Sequence, residues 1–294
     1  MEGVRWAFRC GAWSPSRAEW LLAARCVQPE ERDRVGQFMF AKDAKAAMAG
    51  RLLIRKLVCV KMGLPWDGFR LDRTPRGKPY LAHPSSGSGS APWSFNISHQ
   101  GDFAVLAAER GRQVGVDVMK TTRPGSSSVQ DFFHVMKRQF TDFEWCTITS
   151  AQSDWDQLHL FYRHWALKES FIKAIGSGLG FNLQRVEFHI LPNQMQEGRV
   201  FCQTKMHLDE EEDEDWTFEE CLLDEHHHVA VALGKPDGSV ANDAGNPGEA
   251  ASVGFTVLSF DELMEEATPL SDEDPAYWES FRRKPEVPLR QSDG

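Results

Sequence analysis

At 294 residues, 41% hydrophobic and 26% charged, the chain can bury a sizeable core as one large domain or two ordinary ones, and its composition is that of a soluble globular protein. A net charge of −10 argues against general nucleic-acid binding, which requires many phosphates to be neutralised, but leaves room for a small basic pocket. Six cysteines without a Cys-x-x-Cys pair read as reduced, mostly buried thiols, and the lack of a charged-then-apolar leader or a run of ~18 apolar residues points to a cytosolic protein with no membrane span.

The first elements follow from caps and stops. An apolar, aromatic run over 4–13 predicts a strand, and Ser14-Pro-Ser-Arg-Ala-Glu opens a helix. A second cap-like segment begins at Gln28-Pro-Glu-Glu. Residues 42–62, rich in alanine and leucine, predict a long helix ended by Gly63 and Pro65. Two short extended runs over 69–81 are joined by Thr74-Pro-Arg-Gly77, a turn dense in base with Arg70, Arg73, Arg76 and Lys78. Such a charge run suits a solvated face, and equally a phosphate group.

A Ser/Gly/Pro linker over 83–92 precedes three β-type runs, 93–101, 103–108 and 114–119, which predict an antiparallel meander. In the first run, alternation places Phe95, Ile97 and His99 on one face and Asn96 and Ser98 on the other. Asp117, between Val116 and Val118, is costly as an isolated buried carboxylate, so it must be paired, bound to metal or at an exposed strand end. Helices are expected over 129–136, after the capping box at Thr141, and over 154–162.

The central segment is Trp-Ala-Leu-Lys-Glu-Ser-Phe-Ile-Lys-Ala-Ile-Gly (165–176), a helix closed by glycines. At about 100° per residue Leu167, Phe171, Ile172 and Ile175 share one apolar arc, while Glu169 and Lys173 sit together away from it. That pair reads as a solvated i,i+4 contact or as an acid and a base on one helix face. Lys168 interrupts the apolar arc and must snorkel or meet an anion. Strands are expected over 183–191, 199–208, 216–223 and 227–233, with the acidic run 209–215 as a solvated hairpin tip. Adjacent histidines in Asp224-Glu-His-His-His228 point to opposite strand faces, which disfavours one metal site there. Beyond 235 the chain reads as a linker, then a strand and helix turn near 255–264, an aromatic pair at Tyr277 and Trp278 that can pack on the body, and a disordered end. A long helix ending in glycine and followed by strands recurs in the two halves of the chain, predicting two similar α+β units.

Three segments together, Phe-Asn-Ile-Ser-His-Gln-Gly (95–101), Val-Gly-Val-Asp-Val (114–118) and Trp-Ala-Leu-Lys-Glu-Ser-Phe-Ile-Lys-Ala (165–174), resemble the 4′-phosphopantetheinyl transferases of the surfactin-synthetase-activating type over residues 5–235. The resemblance implies an α+β, pseudo-dimeric fold with halves over 1–115 and 116–234, a partly flexible extension over 235–294, and an active site at the interface of the halves. It implies transfer of 4′-phosphopantetheine from coenzyme A to a serine of acyl, peptidyl or aminoadipate carrier domains, including those of fatty acid synthase and aminoadipate-semialdehyde dehydrogenase, by a monomer that needs Mg²⁺. Asp117 and Glu169 are then the metal ligands, with Glu169, directly or through water, the base. Lys173 steadies the phosphate nearest the attack, His99 contacts the pyrophosphate, and Asn96, Ile97 and Ser98 line the nucleotide. Arg34, Arg73, Thr74, Pro75, Arg76, Gly77 and Lys78 take the remaining phosphates, and Lys168 is a further contact. Met119 stands where many bacterial relatives carry a third acidic residue. A catalytically silent protein that binds coenzyme A and carrier domains is the alternative, and it requires loss of Asp117 or Glu169; both are present.

Overall fold

A computed structural model describes residues 3–82, 92–191, 195–236 and 254–287, with the backbone alone at Leu179. The expected linkers over 83–91 and 237–253 and the end of the chain over 288–294 lie outside the described residues. In order the elements are β1 (Val4–Phe8), α1 (Arg17–Arg25), α2 (Pro29–Gly36), α3 (Ala41–Met62), β2 (Leu71–Arg73), β3 (Pro79–Leu81), β4 (Trp93–Gln100), β5 (Phe103–Arg110) and β6 (Val114–Lys120). There follow α4 (Val129–Met136), α5 (Asp142–Thr149), α6 (Asp154–Ile175), β7 (Val186–His189), β8 (Lys205–Leu208), β9 (Glu211–Glu212), β10 (Thr217–Asp224), β11 (His227–Leu233), β12 (Thr256–Leu258), α7 (Phe260–Met264) and α8 (Pro275–Phe281). The class is α+β. Contacts group the chain into one unit of Met1–Arg5, Ser90–Gly101 and Val105–Thr256 and another of Trp6–Gly89, Asp102–Ala104 and Val257–Gly294.

In the first unit, β6 and β10 flank β11 in an antiparallel sheet, with Asp117 opposite Ala230. Helix α6 packs on this sheet: Leu167, Phe171 and Ala174 meet Phe188, Met206, Phe218, Ala230 and Ala232 in one dry cluster. Its first half packs Leu158, Phe161 and Tyr162 against Val129 and Phe133 of α4 and Ile148 of α5. The approach of α6 to β6 is close because residue 115 is glycine. A Cβ there would stand 2.0 Å from the Ser170 carbonyl oxygen and 2.4 Å from the Ala174 amide nitrogen.

The expected meander does not form. β6 pairs with β11, whereas β4 lies beside β5 in another sheet. What joins β4 to β6 is side chains: Asn96 Oδ1 accepts from the Val116 amide at 3.0 Å, and Gln100 Oε1 accepts from the Lys120 amide at 2.5 Å. Polar residues at alternate positions of β4 thus satisfy backbone donors that a ladder would otherwise pair.

Several boundaries also move. The first strand stops at Phe8, and α1 starts at Arg17 behind the cap Ser16, whose hydroxyl accepts from the Glu19 amide while its own amide donates to Glu19 Oε2. Pro15 accounts for the later start, since the residue before a proline is held extended. The two helices expected over 154–162 and 165–175 are one 22-residue helix. The polar break that separates them in the sequence, Arg163 and His164, is buried, and Arg163 and the Nδ1 of His164 find partners while the His164 Nε2 has none among the described residues. Arg163 forms a forked pair with Glu220 at 2.7 and 2.9 Å, and His164 Nδ1 donates to the Leu160 carbonyl at 2.8 Å. Burial drives the His164 imidazole down to about 3, so it stays neutral. The strand expected over 199–208 is paired as a strand from Lys205 only, with Phe201 bridging Glu220. Cys10, Cys26 and Cys221 are buried thiols and Cys59 is half-buried, whereas Cys146 and Cys202 are exposed.

The second unit is built on α3, 22 residues capped by Gly63 at φ 70°, as α6 is capped by Gly176 at φ 68°. Tyr277 and Phe281 of α8 stack on Trp20 of α1 at 6.0 and 3.7 Å, Tyr277 Oη donates to the Arg32 carbonyl at 2.9 Å, and the Leu270 amide donates to the Arg25 carbonyl at 2.7 Å. The segment after β12 is therefore docked on the amino-terminal helices. Trp278 packs on Phe281 of its own helix instead.

Candidate active site

Asp117 sits in the middle of β6, 4% exposed. Its Oδ1 accepts from Ser98 Oγ at 2.8 Å and from Lys173 Nζ at 2.5 Å, and Lys173 also donates to Ser98 Oγ at 2.8 Å. The three side chains come from β4, β6 and α6, so the close approach allowed by Gly115 is what closes the triangle. Oδ2 of Asp117 is buried with no hydrogen-bond partner among the described residues. Leaving such an oxygen unpaired costs on the order of 1–3 kcal/mol or more for a charged group, a cost that a cation bound there would offset.

Glu169, one helical turn before Lys173, is half-buried. Burial raises its carboxyl above the ordinary range, the negative charge of Asp117 raises it further, and Lys173 opposes both. Two carboxylates that resist sharing their charge, one with an orphaned oxygen, form an all-oxygen donor set suited to a hard divalent ion such as Mg²⁺. Met119, two residues on from Asp117, packs into both apolar clusters around α6 and offers no third carboxylate.

The basic turn belongs to the second unit. Thr74 and Lys78 close it: the Thr74 amide donates to the Lys78 carbonyl at 2.9 Å and the Lys78 amide to Thr74 Oγ1 at 3.1 Å, with Gly77 at φ 84°. Arg73 lies against Glu31 in a fork of 2.7 and 2.6 Å and donates to the Gly77 carbonyl at 2.7 Å. Arg51 reaches the same carboxylate at 2.6 Å. Burial works to raise Glu31, but Arg73, Arg51 and Arg34 hold it below the usual carboxylate range. Three guanidinium groups thus surround one carboxylate, which leaves the cluster positive and orients Arg73.

Comparison with known proteins adds to this geometry. Residues 11–111 match the family "4′-phosphopantetheinyl transferase, N-terminal" and residues 113–232 the "4′-phosphopantetheinyl transferase superfamily". The chain is 60% identical to the L-aminoadipate-semialdehyde dehydrogenase-phosphopantetheinyl transferase of Xenopus laevis over 99% of its own length and 95% of that protein, and 57% identical to the Homo sapiens protein of the same name over 99% and 94%. It is 31% identical to the 4′-phosphopantetheinyl transferase of Bacillus subtilis, over 53% of this chain and 63% of the other. The chain belongs to the 4′-phosphopantetheinyl transferase superfamily.

As a phosphopantetheinyl transferase it uses coenzyme A and modifies a carrier-domain serine. Among the residues expected at the site, Ser98, Asp117, Glu169 and Lys173 come together. His99 is exposed at the end of β4, and Ile97 is half-buried on the same face. Asn96 and Ser98 turn buried side chains toward β6, because the Val116 amide and Asp117 need acceptor and donor there.

Lys168 is a correction. Its ammonium is 1% exposed and donates to Glu144 Oε2 at 2.8 Å and to the carbonyls of Leu183 and Val186 at 2.8 and 2.5 Å. Its three donors are filled, so it has none for a phosphate. The anion it meets is Glu144 of α5, which also accepts from the Thr141 and Phe188 amides. Burial pushes the Lys168 ammonium down and the Glu144 carboxyl up, each opposed by the other's charge. Sequence reasoning reads Glu144 only as part of a capping box, and it misses Glu31 and Arg51 because neither lies near the basic turn in the chain.

Proposed function

We propose that this phosphopantetheinyl transferase is a Mg²⁺-dependent holo-[acyl-carrier-protein] synthase. It transfers 4′-phosphopantetheine to carrier domains of the aminoadipate-semialdehyde dehydrogenase type, which would place it in lysine metabolism, and to those of fatty acid synthase, acting as a cytosolic monomer. The relatives' printed name supports the first partner, and among the described residues no helix is long and apolar enough to cross a membrane. The observation that carries the metal is the orphaned Asp117 Oδ2 with Glu169 beside it.

Asp117 and Glu169 would hold Mg²⁺, which when bound supplies neutralising charge to the pyrophosphate. Ser98 and Lys173 fix the Asp117 carboxylate through Oδ1 and so leave Oδ2 for the ion. Glu169, directly or through water, takes the proton of the carrier serine. The serine oxygen then forms its bond to the phosphorus bearing the pantetheine arm, and adenosine 3′,5′-bisphosphate leaves. Lys173 offers positive charge to the same phosphate. His99 serves the pyrophosphate, Ile97 and the β4 backbone at Asn96 and Ser98 the nucleotide, and Arg34 with the 73–78 turn the remaining phosphates. The division into halves over 1–115 and 116–234 with an extension over 235–294 is part of this proposal; the matching 22-residue, glycine-capped helices α3 and α6 support a repeated half.

Removing Mg²⁺ tests the site without turnover. Metal-free protein at neutral pH is expected to gain about 2.7 kcal/mol when Mg²⁺ reaches a hundredfold excess over its Kd, seen as a rise in Tm, and Asp117→Asn is expected to lose the gain. A wild-type Tm indifferent to Mg²⁺ would remove the metal assignment. Arg73→Ala is expected to raise the KM for coenzyme A roughly tenfold to a hundredfold with little change in kcat, since a charge-assisted contact is worth about 1.5–3 kcal/mol. Initial rates over a range of coenzyme A concentrations measure it.

A further inference from the structure

Away from Asp117, the small sheet of β7, β8 and β9 carries a second cluster of metal-ligating groups. Glu187 and His189 are two residues apart on β7 and so share a face, His207 is the cross-strand partner of Glu187, and Glu212 of β9 is the partner of His207. One ligand atom each from Glu187, His189 and His207 lies within 4.8 Å of the other two. His189 Nε2 is 2.8 Å from Glu187 Oε1, and His207 Nε2 is 4.0 Å from Glu212 Oε2. Ligand atoms of a tetrahedral zinc site, with bonds of about 2.0–2.1 Å, stand ~3.3 Å apart, a spacing these separations bracket.

Supporting contacts are present as well. Thr141 Oγ1 donates to Glu187 Oε2 at 2.6 Å, and Phe143 stacks on the His189 ring at 4.1 Å, so one carboxylate and one imidazole are held in place from behind. The ring centroids of His189 and His207 lie 4.1 Å apart, so the two imidazoles are neighbours across the strands. A lone Glu187–His189 ion pair would give no reason for His207 to converge on it, whereas Glu212 stands outside the group, with its Oε1 accepting from Lys205 Nζ at 2.7 Å. The histidine run at 226–228 behaves differently: His227 Nδ1 bonds Asp224 at 2.7 Å, while His228 Nε2 turns to His159 at 3.1 Å.

We propose that Glu187, His189 and His207 form a binding site for a divalent transition metal, zinc above all, that staples β7 to β8. Imidazole nitrogens with a carboxylate favour zinc over Mg²⁺, whereas the all-oxygen pair Asp117 and Glu169 has the opposite preference. The site is separate from the transferase chemistry, and its role is to clamp the sheet whose Val186 carbonyl and Phe188 amide anchor Lys168 and Glu144.

The test is a competition titration of the full chain with Zn²⁺ against a chromophoric chelator in excess Mg²⁺, with Co²⁺ absorption as a readout of tetrahedral coordination. Wild type is expected to take up one equivalent of Zn²⁺ and to give intense visible Co²⁺ bands. His189→Ala and His207→Ala are each expected to weaken Zn²⁺ binding at least tenfold and to lose the bands. Circular dichroism identifies a variant that fails to fold, and the other then decides. No zinc uptake by wild type, or wild-type affinity in the folded variants, would overturn the proposal.

Discussion

Changing Gly115 to alanine is expected to lower the urea midpoint of unfolding and to reduce turnover at least a hundredfold in whatever protein still folds. The added methyl would meet the Ser170 carbonyl oxygen at 2.0 Å and the Ala174 amide at 2.4 Å, and both are helix backbone that cannot rotate away. Either β6 or α6 must move. Overpacking of this kind costs about 1–3 kcal/mol, and a displacement of ~1 Å between reacting groups can cost a hundredfold in rate. Because the clash is between β6 and the turn of α6 that carries Glu169 and Lys173, stability and activity should fall together. Gly180→Ala is the control: nothing lies within 4 Å of a Cβ there, and stability and turnover should stay as in wild type. A wild-type midpoint and rate for Gly115→Ala would show that the helix is not held against the strand in this way.

Glu169→Gln is the second large effect. The amide keeps the volume of the side chain but cannot accept a proton, so kcat is expected to fall by roughly 10²–10⁴ while coenzyme A binding is retained. In the metal-free protein, with burial first and Asp117 second raising it, Glu169 protonates at a higher pH than a free glutamate, near 4.3. A raised carboxyl favours the folded state below its unfolded pKa and loses that contribution as pH rises through the folded one, so metal-free protein is penalised at neutral pH and relieved by acid or by a bound cation. Full activity in Glu169→Gln would remove the base assignment.

How much of this was legible in the sequence depends on the kind of signal. Helix ends were readable where chemistry is local: the capping box at Thr141 and the glycine stops at Gly63 and Gly176 all appear where the residues place them. Asp117 could be singled out because a carboxylate between valines demands an explanation. Lys168 shows the limit. A cation in an apolar arc requires an anion, but nothing in the sequence distinguishes a phosphate from Glu144, 24 positions earlier and on another helix. The meander failed for a related reason. Strand propensity identified β4, β5 and β6, whereas the pairing of β6 with β11 and the side-chain lacing from Asn96 and Gln100 are set by partners far along the chain. Gly115 reads as an ordinary strand glycine until the helix that crosses it is known.

The most direct test of the central claim is mass spectrometry of a carrier domain. Incubating an apo-carrier domain with coenzyme A, Mg²⁺ and this protein should add the mass of one phosphopantetheine group at the carrier serine, with adenosine 3′,5′-bisphosphate released in equal amount. Asp117→Asn and Glu169→Gln should leave the carrier in its apo form over the same period. An unchanged carrier mass with the wild-type protein, or full conversion by both variants, would contradict the account.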